Sequence, residues 1–510
     1  MRARPAALLV AALAGVFGSP RAARAQAPDP VAAGDWPQDR RDAHNTGMAD
    51  LVAPQSGPAR PWTFDGSGRI WGYEPGITTW TSPALAVVEG RAVVAVGSYD
   101  HNVYCLDAAT GERRWKFTTG GSVLGTPAIW HDGGRAWLFA TSSDRLVYGL
   151  EAGSGRQLWV HSAQEFRPTL GGARLSSPAV GETAGRPAVF VGTWVWDSSL
   201  ASNLQRGALV ALGARDGKPL WRRDLGDNQL TAPVHVRAGG RGWVLVGSSN
   251  GSLYAVDADD GTVQWQRAEL DAIRSQPAVW EGRGSGAASD GPFVVMASKY
   301  GTVRALRLRD GQERWSYKTG DRVTGSPAVA EVGGRSLVVV GSYDRVLYAL
   351  DAASGTVVWR YTARGGVYSS PGIALVAGRP MVLAAAWDNT LHAVSLRDGG
   401  LLFQTFTGRP LWTVAGLDES NWSSPAAARV NGAWMAFVGS YDGTLRGLPL
   451  DESGRTPAPL RSNLWFWLSF PIALVPFGAL AVLLTRLERG RQRRRRQTSQ
   501  ATTTRTGTAA

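Results

Sequence analysis

The stretch from Asp107 to Trp115 reads Asp-Ala-Ala-Thr-Gly-Glu-Arg-Arg-Trp, and it decides the fold because it recurs. The pattern Asp-Ala-x-x-Gly-x-x-x-Trp returns from Asp257 to Trp265 and from Asp351 to Trp359. Weaker copies without the aspartate end at Trp159, Trp221 and Trp315, and a seventh copy has Phe403 in place of the tryptophan. A motif that recurs along a chain is the signature of a repeat architecture.

Each repeat also begins with a proline that follows small polar residues. These prolines are Pro83, Pro127, Pro178, Pro233, Pro277, Pro327 and Pro371, and an eighth repeat begins at Pro425. The interval from the proline to the motif aromatic is 32 residues in five of the first seven repeats. Alternating apolar stretches, broken by hairpin signals such as Gly97-Ser98-Tyr99-Asp100, predict four short antiparallel strands per repeat.

These repeats predict an all-β fold, an eight-bladed β-propeller of four-stranded antiparallel blades. The eighth repeat has no tryptophan near Leu445 to Leu450. Ahead of the first repeat, however, Trp62-Thr63-Phe64 reads like Trp115-Lys116-Phe117. We therefore expect this N-terminal strand to complete blade eight and close the ring, which leaves no open sheet edge.

The two ends of the chain carry targeting signals. Arg2 and Arg4 precede an apolar run, and Ala23-Arg24-Ala25 is typical of a cleavage site, so the start predicts a secretory signal. A second, uncharged apolar stretch near the C-terminus has the length of a bilayer and is followed by arginines, which predicts an inner-membrane, single-pass protein with a periplasmic propeller. The expected order is signal peptide 1–25, N-terminal lead-in 26–61, propeller 62–450, linker 451–463, transmembrane helix 464–484 and basic cytoplasmic tail 485–510.

The net charge of +13 would fit a nucleic-acid-binding protein, but the charge is unevenly distributed. The signal contributes +4 and the C-terminal tail +7, which leaves +2 for the exported part. The basic residues thus belong to membrane topology, and we expect no nucleic-acid partner. The single cysteine, Cys105, stands where other repeats have Ala or Gly, which predicts a small core residue and excludes a disulfide within the chain.

The sequence lacks the usual signs of catalysis and metal binding. Its six histidines fall in different repeats or loops without ligand spacing, so we expect no metal site. The run Gly247-Ser248-Ser249-Asn250-Gly251 matches the spelling of a nucleophile elbow but occupies a hairpin position, so we interpret it as a turn. We assign no catalytic residue.

Departures from the regular spacing point to one face of the ring. The interval from the motif aromatic to the next proline is usually 12 residues, but it is 21, 19 and 22 before repeats one, three and eight. Repeat three has a further surplus near Trp194 to Arg206, at its second hairpin. In a propeller, the crossovers between blades and the second hairpins within blades lie on the same face of the ring. These four insertions are therefore expected on that one face, here called the decorated face. A fifth insertion, near Gly282 to Gly291, falls in a first hairpin and is expected on the opposite face.

The residues just ahead of the inner strands are expected to ring the channel mouth on the decorated face. They are Trp80, Leu124, Leu175, Leu230, Arg274, Thr324, Tyr368 and Trp422, with Arg174 and Asn421 adjacent. The candidate binding residues are Trp80, Arg174, Arg274, Tyr368, Asn421 and Trp422, which would hold a flat, small anionic ligand by stacking and charge-assisted hydrogen bonds. The alternative is structural: the aromatic rings plug the channel, and the arginines pair with Asp418 or Glu419.

The repeats, together with the lead-in Trp36-Pro37-Gln38-x-Arg40, resemble PQQ-like propellers over residues 35–450. The resemblance implies one of two kinds of protein. Quinoprotein dehydrogenases hold PQQ and calcium at the channel mouth, and Asn421-Trp422 is similar to an Asn-Trp pair found there. Other members are non-catalytic, such as the scaffold lipoprotein of the outer-membrane β-barrel assembly machine. This chain has no vicinal Cys pair, no Cys-x-x-Cys-His and no calcium set at matching motifs.

We therefore expect a membrane-anchored binding or assembly scaffold with a protein partner in the cell envelope and no resident cofactor. One alternative is a PQQ-dependent dehydrogenase that uses calcium and oxidises an alcohol or sugar. Another is a ligand-sensing ectodomain that acts through a cytoplasmic partner.

Overall fold

The computed structural model describes residues 48–51, 62–65, 81–162, 173–196, 205–226, 230–268, 271–280, 291–376, 378–388, 390–406, 423–439 and 444–450. All of them belong to one compact unit, Met1–Pro457. Within these ranges no helix is long and apolar enough to cross a membrane. The predicted signal peptide, transmembrane helix and basic tail lie outside the described residues.

Eight sheets, one for each repeat and each built of antiparallel hairpins, form an all-β propeller, which confirms the eight-bladed, all-β part of the predicted fold. Two strands precede the first repeat: β1 (Met48–Leu51) and β2 (Trp62–Asp65). The other strands follow in chain order. They are β3 (Ala84–Val88), β4 (Arg91–Gly97), β5 (Asn102–Asp107) and β6 (Arg113–Thr118) in blade 1; β7 (Ala128–Asp132), β8 (Arg135–Thr141), β9 (Leu146–Glu151) and β10 (Gln157–Ser162) in blade 2; β11 (Ala173–Leu175), β12 (Ala179–Thr183), β13 (Arg186–Trp196), β14 (Gln205–Gly213) and β15 (Pro219–Asp224) in blade 3; β16 (Val234–Ala238), β17 (Arg241–Gly247), β18 (Leu253–Asp257) and β19 (Val263–Arg267) in blade 4; β20 (Ala278–Trp280), β21 (Phe293–Ala297), β22 (Thr302–Arg307) and β23 (Glu313–Lys318) in blade 5; β24 (Ala328–Val332), β25 (Arg335–Gly341), β26 (Val346–Asp351) and β27 (Val357–Thr362) in blade 6; β28 (Gly372–Val376), β29 (Arg379–Ala386), β30 (Thr390–Ser395) and β31 (Leu401–Phe406) in blade 7; and β32 (Ala426–Val430), β33 (Ala433–Gly439) and β34 (Thr444–Leu450) in blade 8.

Blade 8 combines strands from both ends of the described chain. Strand β2 pairs antiparallel with β34, with Trp62 opposite Gly447. Strand β1 pairs parallel with β32, the inner strand, with Met48 opposite Ala427. The sheet order is therefore β1-β32-β33-β34-β2. The two N-terminal strands thus cover both edges of the last sheet.

The motif tryptophan of each repeat packs on the following blade. The indole N–H of Trp315 donates a hydrogen bond to the carbonyl oxygen of Ala352 (2.8 Å). Its ring lies against Gly355, which has φ +72° and where a Cβ would be 2.6 Å from the ring. Equivalent bonds run from Trp115, Trp159, Trp221, Trp265 and Trp359 to the carbonyl oxygens of Ala152, Ala214, Ala258, Leu308 and Leu396. The glycine and the tryptophan of the motif therefore meet across the seam between two blades.

The second hairpins and the crossovers between blades share one face, here named the crossover face. The N–H of Val123, in the crossover after blade 1, donates to the carbonyl oxygen of Ser98 in the second hairpin (2.9 Å). In blade 3 the second hairpin is extended: Trp194 pairs with Gly207, and β11 adds a third strand beside β13. The first and third hairpins lie on the other end of the ring, here named the opposite face.

His235 lies at the seam between blades 3 and 4. Its ring stacks on Phe190, with 5.5 Å between centroids and 7° between planes. Burial, followed by the nearby charge of Arg237, lowers the pKa of His235 to about 4. The ring is therefore neutral in the folded protein at pH 7.

We expect this histidine to make stability depend on pH. Because the pKa is lowered from 6.5, the unfolded chain binds the proton more tightly, so stability is full above about pH 6.5 and falls as the pH drops towards 4. The loss is at most roughly 3 kcal/mol. Urea unfolding at pH 7.5 and 4.5 checks this: the pH dependence should shrink in His235→Phe and persist in His101→Asn, at an exposed hairpin tip. Equal pH dependence in both variants would contradict the assignment.

Candidate functional site

The channel mouth is built on a chain of hydrogen bonds between neighbouring blades. In five of the repeats, the N–H of the residue before the proline donates to the hydroxyl of the equivalent residue in the next blade. These bonds run from Ser82 to Thr126 (2.9 Å), Thr126 to Ser177 (2.9 Å), Gln276 to Ser326 (3.0 Å), Ser326 to Ser370 (2.9 Å) and Ser370 to Ser424 (3.0 Å). Blade 4 has Ala232 at this position, which offers no hydroxyl. The small polar residues of the repeat therefore hold the rim together.

The predicted site residues have different environments. Arg274 is exposed, whereas Tyr368 is buried, with 3% of its surface accessible. Arg174 belongs to β11, where its backbone is paired with Trp194 of β13. Trp80, Asn421 and Trp422 lie outside the described residues, and so do Asp418 and Glu419. The structure therefore describes only part of the predicted mouth.

The other described mouth positions are mainly apolar. Leu124 and Leu230 are buried, while Leu175 and Thr324 are half-buried. Strand β1 lies along the inner edge of blade 8 and also contacts the inner strands of blades 1 and 7. The chain's own N-terminal strand therefore occupies part of the centre of the ring.

An aromatic cluster on the crossover face joins blades 6 and 7. It consists of Tyr343, Tyr368 and Trp387. The Tyr368 and Trp387 rings are 5.2 Å apart, the Tyr343 and Trp387 rings 5.3 Å, and the two tyrosine rings 5.7 Å. The guanidinium of Arg322 lies 5.7 Å from the centre of the Tyr343 ring. Trp387 remains 37% exposed, so the cluster presents an aromatic edge to solvent.

The backbone around this cluster fixes its geometry. The N–H of Trp387 donates to the carbonyl oxygen of Gly366 (3.0 Å). A Cβ at Gly365 would approach the Asp388 nitrogen to 2.5 Å, so the crossover passes the hairpin only because this residue is glycine. The N–H of Tyr343 donates to the carbonyl oxygen of Arg322 (2.9 Å). The backbone segments that carry the three rings are therefore packed closely against one another.

A buried polar chain lies directly beneath Trp387. Nε2 of His392 is 2.9 Å from the Asp388 carboxylate, and Nδ1 is 2.9 Å from the Tyr361 hydroxyl. Burial alone would raise the pKa of Asp388, but the contacts with His392 hold it below its ordinary value. In blade 6 the equivalent contact joins Tyr348 to Asp344 (2.6 Å). The histidine therefore takes the place of the tyrosine that bonds to the hairpin aspartate in blade 6, and its role here is structural.

Sequence reasoning identified Tyr368 but missed Tyr343 and Trp387. Both residues occupy the position after the Ser or Ala of the second hairpin, as Tyr99 does in blade 1. Comparing the hairpin tips with one another would have found them. The tips of blades 2, 4 and 5 instead carry Ser143, Ser249 and Lys299. Aromatic tips are thus concentrated on one side of the ring.

A quinone cofactor with calcium needs oxygen ligands around the ion and an aromatic plane for the ring system. Among the residues that the structure describes, no group of three His, Cys, Asp or Glu could hold a metal ion. Tyr368 is buried against its aromatic neighbours. Trp80 and Trp422, which would supply the aromatic plane, lie outside the described residues, so a quinone site stays a prediction and no reaction step is assigned to one.

Sequence comparison identifies the family. The profile described as outer membrane protein assembly factor BamB matches residues 60–193, 171–333 and 299–507. The chain belongs to this PQQ-like propeller family. The outer membrane protein assembly factor BamB of Salmonella typhimurium is 34% identical over 82 residues, which are 15% of this chain and 21% of that protein. The alignment thus spans about a fifth of that BamB-family relative.

Solved structures with the same fold include enzymes. The quinohemoprotein alcohol dehydrogenase from Comamonas testosteroni has a TM-score of 0.60 at 14% identity, over 85% of this chain and 82% of that chain. A europium-containing methanol dehydrogenase has a TM-score of 0.57 at 14% identity, over 80% and 89%. At this identity the likeness concerns the fold. The same propeller fold therefore occurs in these dehydrogenases and in this chain.

Proposed function

We propose that this protein is a membrane-anchored, non-catalytic scaffold that binds a protein of the cell envelope through the aromatic cluster on its crossover face. The observation that carries the proposal is Trp387, which is 37% exposed although two tyrosines pack against it. Rigid aromatic side chains with one accessible edge are the usual anchors of protein interfaces. A related protein is an outer membrane protein assembly factor, which supports an assembly role.

The surroundings of the cluster suit a protein partner. Arg322 and Arg364 lie beside it, and Arg364 is exposed. Arginines around a central aromatic group are enriched at interfaces because they combine charge with a flat apolar surface. We further propose that β2 closes the ring, and that residues 464–484 anchor the propeller on the periplasmic side of the inner membrane.

Photo-crosslinking in cells tests the binding surface. A crosslinking amino acid at Arg364, beside the cluster, should capture a defined envelope protein. The same group at Arg335, on the opposite face of blade 6, should not. With the partner identified, Trp387→Ala should weaken its binding by about 30-fold or more, the effect expected for an interface anchor.

Two results would contradict the proposed binding surface on the crossover face. Equal crosslinking from both positions would mean that the crossover face is not preferred. Unchanged affinity in Trp387→Ala would remove the aromatic cluster from the interface.

The dehydrogenase alternative rests on the structural likeness to quinohemoprotein alcohol dehydrogenase. Calorimetric titration with PQQ, with and without calcium, tests it directly. Tight calcium-dependent binding that is lost in Trp422→Ala would replace the scaffold proposal by the enzymatic one. No heat of binding would leave the scaffold proposal in place.

A further inference from the structure

Aromatic hairpin tips and arginines form a strip on the crossover face from blade 5 to blade 7. The aromatic members are Tyr300, Tyr343 and Trp387, which belong to the second hairpins of blades 5, 6 and 7. Tyr300 is 56% exposed and Trp387 is 37% exposed. Arginines of the same hairpins and of the crossovers between them accompany these rings. We name this surface the basic strip, and its members are Tyr300, Arg322, Tyr343, Arg345, Arg364 and Trp387.

Backbone hydrogen bonds connect the blade 6 and blade 7 parts of the basic strip. The carbonyl oxygen of Arg345 accepts the N–H of Ala363 (2.8 Å), the residue before Arg364. The N–H of Arg364 in turn donates to the carboxylate of Asp388 (3.3 Å), which follows Trp387 in the chain. The two arginines and the exposed indole are therefore neighbours across one seam.

The second hairpin of blade 5 extends the strip on the other side. Tyr300 takes the position that an aspartate has in blades 1, 2, 6 and 7, so this hairpin tip has no carboxylate. The Nζ of Lys318 donates to the carbonyl oxygen of Tyr300. The N–H of Thr319 donates to the carbonyl oxygen of Gly301 (2.9 Å), which holds the crossover that carries Arg322 against this hairpin. The strip is therefore continuous over two seams.

Two of the three carboxylates in these hairpins and crossovers are bound within the hairpins. The Asp388 carboxylate is 13% exposed and lies 2.9 Å from Nε2 of His392. Asp321 differs, because its side chain is 52% exposed and lies 4.0 Å from Nε of Arg322. Asp344 accepts three hydrogen bonds, from the N–H groups of Gly320 and Val346 and from the hydroxyl of Tyr348. The acidic groups of the strip are therefore largely occupied by the protein itself.

Arg345 and Arg364 have no such internal partner. Both are exposed, and neither guanidinium group has an ion pair or a hydrogen bond with any residue that the structure describes. A guanidinium group binds a carboxylate well because its planar fork can donate two parallel N–H bonds. The complement of this surface is therefore a ligand with carboxylates and an apolar group.

Blade 2 provides a matched hairpin without the aromatic tip. Arg145 has the turn position of Arg345, with φ +74° against +73°. The tip residue of this hairpin is Ser143, where blade 6 has Tyr343. Arg145 therefore offers the same charge on the same backbone, away from the basic strip.

We propose that the basic strip binds an acidic segment of the partner protein. Its carboxylates pair with Arg345 and Arg364, and an apolar side chain packs against Trp387. The inference rests on the proposed scaffold function and adds to it the chemistry of the partner. Complementary charges around an aromatic anchor select the partner and guide its approach, while the anchor supplies the buried apolar contact.

Peptide binding to the full chain in a non-ionic detergent tests this. Every protein in the experiment carries Arg→Gln substitutions at residues 493–496, so that the arginine run of the tail does not bind the probe. The probes are two immobilised synthetic peptides, one of aspartate and glutamate around a central leucine and one with asparagine and glutamine instead. We expect the acidic peptide to bind at least about tenfold more tightly, and this preference to shrink as salt screens the charges.

Charge reversal locates the binding on the chain. The double variant Arg345→Glu, Arg364→Glu should remove the preference for the acidic peptide, whereas Arg145→Glu should leave it unchanged. Arg322 is kept, because its guanidinium lies over the Tyr343 ring. Trp387→Ala should also weaken the binding of the acidic peptide. Equal affinity for the two peptides, or a preference that survives the double variant, would overturn the proposal.

The scaffold role has a separate readout in the crosslinking from Arg364. The captured partner should be joined through an acidic segment. A neutral or basic contact segment would overturn the acidic ligand and leave the scaffold role in place. An acidic preference that needs Arg345 and Arg364, without any captured partner, would contradict the scaffold role and keep the acidic-ligand site.

Discussion

Trp315→Ala is expected to lower the free energy of unfolding by about 4 kcal/mol, the range found for removing a large buried aromatic side chain. Trp315 is 7% exposed and packs in a cluster shared by blades 5 and 6. The substitution leaves a cavity at the seam between the blades. It also removes the bond that the indole N–H donates to the carbonyl oxygen of Ala352.

Urea unfolding at neutral pH measures this loss. Tyr300→Ala is the control in the same blade, because Tyr300 is 56% exposed and its removal should cost less than about 0.5 kcal/mol. Similar losses for the two variants would mean that the tryptophan does not couple the blades. The motif would then be only a local feature of each hairpin.

Gly355→Ala is expected to destabilise the protein by about 3 kcal/mol, although it adds a single methyl group. Two costs combine. The backbone has φ +72°, which costs a non-glycine residue about 1 kcal/mol. The new Cβ would also lie 2.6 Å from the Trp315 ring, so the ring must move and its hydrogen bond is weakened.

A double-mutant cycle distinguishes these costs. In a Trp315→Ala background the ring is absent, so Gly355→Ala should cost only about 1 kcal/mol. Gly334→Ala provides a matched control, because Gly334 has φ +77° with nothing within 4 Å of an added Cβ. It too should cost about 1 kcal/mol. Additive effects of the Trp315 and Gly355 substitutions would show that the two residues do not pack on each other.

The fold followed from the sequence because the repeat motif is itself the contact between blades. Asp351, Gly355 and Trp359 recur together since one repeat supplies a tryptophan and the next repeat the glycine that receives it. A strand pattern alone would have left the architecture open. The spacing between copies gave the number of blades.

The candidate site was less accessible to sequence reasoning. Tyr368 was identified from its distance to Pro371, but its neighbours Tyr343 and Trp387 come from hairpins 25 residues before it and 19 residues after it. The three rings meet because a crossover passes beside both hairpins. The path of that crossover is not encoded in local sequence patterns. Trp80, Asn421 and Trp422 lie outside the described residues, so their place at the mouth stays a prediction.

Blade 8 is assembled from strands that lie far apart in the sequence, and this determines when the protein can finish folding. Strands β1 and β2 have their hydrogen-bond partners in β32 and β34, which lie nearly 400 residues later in the chain. During synthesis the early blades can form from neighbouring residues, whereas this last sheet needs contacts of very long sequence separation, which form slowly. The first strands to be made are therefore the last to be paired.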